Sequence, residues 1–148
     1  MSDIRDRLAA QSEFRRALSR GRFHRLMGRI RRQRWNLMNA QKVMQATACV
    51  NERYIGLKTI KIEDIVASEG RSHEFTSDFL PTSNLQEPRW AGVARTLKQS
   101  STLPPIDVLE AGGRYLVRDG NHRVSVARAR GQAFIEAVVK SVAQTVAA

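Results

Sequence analysis

The chain has 148 residues, 42% of them apolar and 26% charged, which is enough for a real core and excludes a wholly disordered chain. No apolar run approaches the ~18–20 residues that cross a bilayer, and one cysteine, Cys49, excludes an internal disulfide framework and a cysteine metal cluster. The net charge is +11, with 13 Lys+Arg against 4 Asp+Glu in residues 1–54 and 12 against 10 in residues 55–148. Such asymmetry points to a polyanion partner for the first third.

In chain order, residues 1–54 are predicted to form a basic helical arm. Its pattern suggests a helix from about Asp3 to Ser19, a break near Gly21, and a second helix from about Phe23 to Val50. Nine arginines occur between positions 15 and 34, with no acid among them: Arg15, Arg16, Arg20, Arg22, Arg25, Arg29, Arg31, Arg32 and Arg34. A guanidinium pairs bidentately with phosphate and stacks on bases, so nucleic acid is the expected partner, with DNA versus RNA open. An acidic partner protein, self-association into a homo-oligomer, and a solvated or membrane-surface face stay open as alternatives. The N-terminus lacks the apolar core of a signal peptide, and a cytoplasmic setting is expected.

Residues 55–140 are predicted to form a compact domain, followed by a short tail at 141–148. Leu57–Ile62 alternates and reads as a half-buried strand, with a helical turn at Glu63–Val66. Residues 68–88 read as a long ordered loop anchored by Phe75, Phe79 and Leu80. Arg89–Gln99 suits a helix, with Trp90 in its core face. Ile106–Leu109 and Tyr115–Val117 read as a hairpin around Ala111-Gly112-Gly113. Val124–Arg130 has helical spacing and stops at Gly131, and Phe134–Val139 returns as a strand. The fold class is therefore α+β, a small mixed β-sheet with flanking helices.

The segment richest in chemistry is Arg118-Asp119-Gly120-Asn121-His122-Arg123. A strand ends there, Gly120 allows a tight turn, and a helix begins. First-turn amides lack intrahelical partners and carry the positive end of the helix dipole, so they suit phosphate. His122 and Arg123 stand where they can clamp the same group. Asp119 is a candidate base or cation ligand, or merely a cap. Purely local hydrogen bonding at this turn remains the plain alternative. The three histidines, His24, His73 and His122, lack zinc-site spacing, so no metal is expected from the protein alone.

The Asp-Gly-Asn-His-Arg run, the alanine-containing helix and Gly131 resemble the hallmark of the ParB/sulfiredoxin superfamily. So do Leu103-Pro104-Pro105-Ile106 before the hairpin and Ile60–Ile65 at the start. The resemblance spans about Leu57–Lys140. It implies a nucleotide phosphate held by Gly120, Asn121, His122 and Arg123, with Arg71 as a further contact. The implied cofactor is a nucleoside triphosphate, with Mg2+ carried by the nucleotide and the base unspecified. Superfamily members include chromosome-partitioning ParB proteins, which bind CTP and DNA, sulfiredoxins, serine kinases and nucleases. Sulfiredoxin chemistry needs a cysteine where this chain has Asn121, so such a reductase is not expected. No helix-turn-helix module follows Val139, so partition-site binding of the ParB type is not expected either. The leading expectation is a nucleotide-binding ParB-like domain attached to nucleic acid by its arm. The alternatives are a small-molecule kinase or phosphodiesterase with Glu63, Asp64, Glu69 or Asp119 as base, and an interaction module without a ligand.

Overall fold

In the computed structural model, which describes residues 2–30, 38–39, 51–69, 74–76, 78–100 and 103–143, a six-stranded mixed sheet carries three helices. The strands are β1 (Met38–Asn39), β2 (Asn51–Lys61), β3 (Ile65–Ser68), β4 (Ile106–Ala111), β5 (Arg114–Asp119) and β6 (Phe134–Ala143). The helices are α1 (Ser2–Ile30), α2 (Glu87–Ser100) and α3 (Asn121–Ala129). Sheet order is β1-β3-β5-β4-β6-β2. β1, β3 and β5 run parallel, as do β4 and β6; β4 pairs β5 and β2 pairs β6 antiparallel. This is the expected α+β class.

Alternation explains which residues fill the layers. Val108 and Val117 pair across β4 and β5 and face α3, where they meet Val124, Ala127, Ile106 and Val139. Their neighbours Leu109 and Leu116 face the other side, where they cluster with Ala67 and Val142. The central strands are thus buried on both faces. β2 is an edge strand, and among its residues 52–61 only Ile60 is buried.

A second core joins the three helices. Trp90 of α2 is fully buried; its indole Nε1 donates to Ser125 Oγ of α3 at 2.8 Å, and Phe14 of α1 meets its ring edge-on at 5.7 Å. Ala10, Ala17, Leu18 and Leu80 complete the contact. Trp90 is therefore a core residue, and α1 forms an outer layer docked on α2.

Four sequence expectations need correction. The helical turn expected at Glu63–Val66 is Ile62–Asp64, and Ile65 and Val66 already belong to β3. The break near Gly21 does not occur, since α1 is continuous through it. Gly21 is buried instead, and a Cβ there would overlap the Pro81 carbonyl oxygen. Its role is to let loop backbone approach the helix. A separate helix from Phe23 to Val50 is also not observed: residues 23–30 continue α1, and Met38–Asn39 form a strand. Positions 31–37 and 40–50 lie outside the described residues. Residues 141–143, assigned to the tail by the sequence pattern, belong to β6 through its pairing with β2, and positions 144–148 lie outside the described residues.

The 68–88 loop is ordered where described. Phe75 bridges Pro81, and Thr76 Oγ1 accepts from the Leu80 amide at 3.2 Å. Ser83 and Gln86 form a capping box just before α2. These bonds fix Phe75 and Phe79 in the sheet core and Leu80 beneath α1, which sets the position of α2 above the carboxyl ends of β3 and β5.

Candidate functional site

Gly120 ends β5 and caps α3 with φ of 109° and ψ of 23°. Two constraints select glycine. The backbone lies in the left-handed region, and a Cβ would sit 2.5 Å from Ile106 Cγ2. The turn therefore rests directly on the first residue of β4.

Next to this turn is a cavity of about 620 Å³. Its floor is Asp119–Arg123. One wall is α2, through Arg89, Gly92, Val93 and Thr96; the rest comes from Glu69, Arg118, Leu103 and Pro104. It lies at the carboxyl ends of parallel strands β3 and β5, a place where sheets of this kind commonly accept ligands. Three guanidinium groups and two carboxylates line it.

Each side chain of the predicted turn has a definite setting. Asn121 is buried, and its Oδ1 accepts from Ser68 Oγ at 2.6 Å, which ties the start of α3 to the end of β3. His122 packs edge-on against Phe75, with centroids 5.5 Å apart. Arg123 donates from Nη1 to the carbonyls of Pro104 (2.7 Å) and Pro105 (2.9 Å), and from Nη2 to Asp119 Oδ2 (3.1 Å). Three of its five N–H donors thus hold the turn to the Pro-Pro segment. Asp119 is 74% exposed, and its salt bridge with Arg123 is its contact with the turn.

Arg118 stands in the motif, and the sequence alone assigns it no role. It lines the cavity, and Glu52 of β2 accepts a bidentate pair from it while Glu69 faces its Nε at 3.3 Å. The hydrogen bond from Arg118 holds the Glu52 carboxyl below its ordinary value, and the same bond raises Arg118. Arg89, exposed in the first turn of α2, is the other cavity cation that sequence reading missed. No local signal could have found it, because it meets the turn only through the packing of Trp90 on Ser125.

Of the candidate bases, the fold brings Glu69 and Asp119 to the cavity. Asp64 lies instead opposite Arg114, and Glu63 lines a separate cleft with Lys61 and Arg128. Arg71 lies outside the described residues. Among the described residues no group of three His, Cys, Asp or Glu is placed to hold a metal ion.

On α1, Arg15, Arg16, Arg20 and Arg22 are exposed, on the arc opposite Ala10, Phe14 and Ala17. The three acids of the helix turn inward. Asp3 pairs with Arg95, Asp6 with Lys98 at 3.0 Å, and Glu13 with Arg130 at 2.8 Å. Docking consumes the negative charges and leaves a basic outer face. Arg25 and Arg29 fall within α1, while Arg31, Arg32 and Arg34 lie outside the described residues.

The ParB N-terminal domain profile matches residues 51–148, more than half of the chain. The chain belongs to the ParB N-terminal domain family. Among solved structures, a sulfiredoxin from Arabidopsis thaliana is similar at 19% identity, covering 57% of this chain and 84% of that one with a TM-score of 0.44. A search of curated proteins finds no match. No described helix is long and apolar enough to cross a membrane.

Proposed function

We propose that this ParB-like domain binds nucleotide phosphates at the Gly120 turn and associates with nucleic acid through the outer face of α1. The observation that carries the first half is the cavity itself. The turn opens onto a space of about 620 Å³ that Arg89, Arg118 and Arg123 also line. First-turn amides and guanidinium groups converging on one space suit an anion with several oxygens. A nucleoside triphosphate with Mg2+ is the ligand class that fits this reading and the family resemblance; the base is open.

Thermal shift with ATP, CTP or GTP plus Mg2+ tests it. The melting temperature should rise with at least one, and Arg89→Ala should remove most of the rise. Arg89 is the cleaner probe, because Arg123→Ala would also release the Pro104 and Pro105 carbonyls. No rise with any triphosphate would favour an interaction module without a ligand. Product release that depends on Asp119 would turn the reading toward a kinase or phosphodiesterase.

The second half rests on the acid-free outer face of α1. Affinity for DNA or RNA should fall steeply with salt, with a log–log slope of roughly −0.9 per phosphate contact on duplex DNA. Replacing Arg15, Arg16, Arg20 and Arg22 by alanine should flatten that slope. An unchanged slope would refute the assignment.

A further inference from the structure

We propose that Arg118 is a transferable cation: Glu52 and Glu69 hold it in the unliganded protein, and it is surrendered to a polyphosphate in the cavity, which frees the start of β2. This rests on the phosphate-binding reading above and adds to it a coupling between cavity and sheet edge.

The argument begins with position. Arg118 lines the cavity one residue before Asp119-Gly120, and its side chain is 26% exposed, so a ligand can reach it. Its present partners are the Glu52 carboxylate, held through both Nη atoms, and the Glu69 carboxylate. The two carboxylates are only partly covered, at 39% and 47% exposure. Partly exposed pairs are worth little and exchange readily. A triphosphate offers more charge and more acceptor oxygens to the same fork than a carboxylate does.

The consequence lies in Glu52. It belongs to the end of β2 beyond the irregularity between Tyr54 and Gly56, where the register with β6 shifts. Opposite it, Val142 packs on Ala67, Leu109 and Leu116 on the far face of the sheet. The Arg118–Glu52 pair is thus a polar tether from this ribbon end to the cavity. Once Arg118 turns to phosphate, residues 52–54 keep their pairing with β6 and, with Ile55 at the irregularity, lose the tether. In this scheme the two acids compete with the ligand.

Inorganic triphosphate with Mg2+ is the probe, because it needs no base recognition. Calorimetry should show Glu52→Gln binding roughly threefold to fivefold tighter than the unsubstituted chain, and Arg118→Ala binding more weakly than both, with Arg118→Lys between. Hydrogen exchange at residues 52–55 should speed up when the unsubstituted chain is saturated. In Glu52→Gln it should be fast already and unmoved by the probe. Binding with equal affinity in both chains, or saturation that leaves exchange at 52–55 unchanged, overturns the transfer while the cavity reading survives. Absence of binding in the unsubstituted chain and in Glu52→Gln alike sinks the cavity reading and the transfer with it.

Discussion

The outer face of α1 and the Gly120 cavity are both arginine-rich, yet they are built on opposite plans. On α1 the acids are spent inward on Arg95, Lys98 and Arg130, and the outward arginines stand in solvent. In the cavity Arg118 and Arg123 are already engaged by carboxylates and carbonyls at fixed distances. The first arrangement is additive and screened by salt, because no single guanidinium has a unique place. The second is geometric, because one turn and one clasp place the donors of Arg123 and Arg118. Similar residues therefore serve a diffuse surface in one region and a shaped site in the other.

The largest effect expected is on the helix that carries the diffuse surface. Phe14 is fully buried against Trp90, and Phe14→Ala should cost about 3–5 kcal/mol in urea unfolding. The contrast sharpens if that variant loses nucleic-acid affinity but still takes up triphosphate. Loss of both together would mean that the two regions are one unit.

Two glycines give the next largest effects. Gly120→Ala adds a left-handed penalty of roughly 1–2 kcal/mol to a clash with Ile106, so a loss of about 2–4 kcal/mol is expected. At Gly21 the sign is the test. Alanine in a helix interior normally gains about 1 kcal/mol over glycine. Here the Pro81 carbonyl stands in the way, and the variant should be less stable by about 1 kcal/mol. A gain there would refute the close approach of loop and helix.

Those glycines also mark how far the sequence could be read. At Gly120 a strand, a glycine and a helical pattern follow one another, so the turn and its place at the mouth of a site are legible from neighbours alone. Gly21 looks like a helix break because glycine is a poor helix former; the reason for it, a carbonyl sixty residues away, is invisible locally. The hairpin and α3 follow from short-range alternation and spacing. The ends of β2 and β6 do not, since Asn51–Arg53 and Ser141–Ala143 extend the strands by pairing with each other. The motif exposed Arg123 as a phosphate candidate but hid its grip on Pro104 and Pro105. Arg89 and Arg118 join the cavity through tertiary packing, and no spacing rule gathers them.

The smallest effect is electrostatic. Arg118 keeps the Glu52 carboxyl below its ordinary 4.5, so the pair contributes stability above that pH and loses it as pH falls through the lowered value. Urea unfolding of the unsubstituted chain and of Glu52→Gln should differ by less than about 1 kcal/mol at pH 7, since the pair is partly exposed. The difference should close as the solution is acidified below about 4.5. A difference that persists unchanged into acid would mean that Glu52 acts through packing rather than charge.

The central claim is most directly tested by diffusing inorganic triphosphate and Mg2+ into crystals of the domain. The account predicts density for the anion against the Asn121–Arg123 amides, with the Arg89 and Arg118 guanidinium groups turned toward it. A triphosphate seated only on α1, or a cavity still without an anion at saturating concentration, would contradict it.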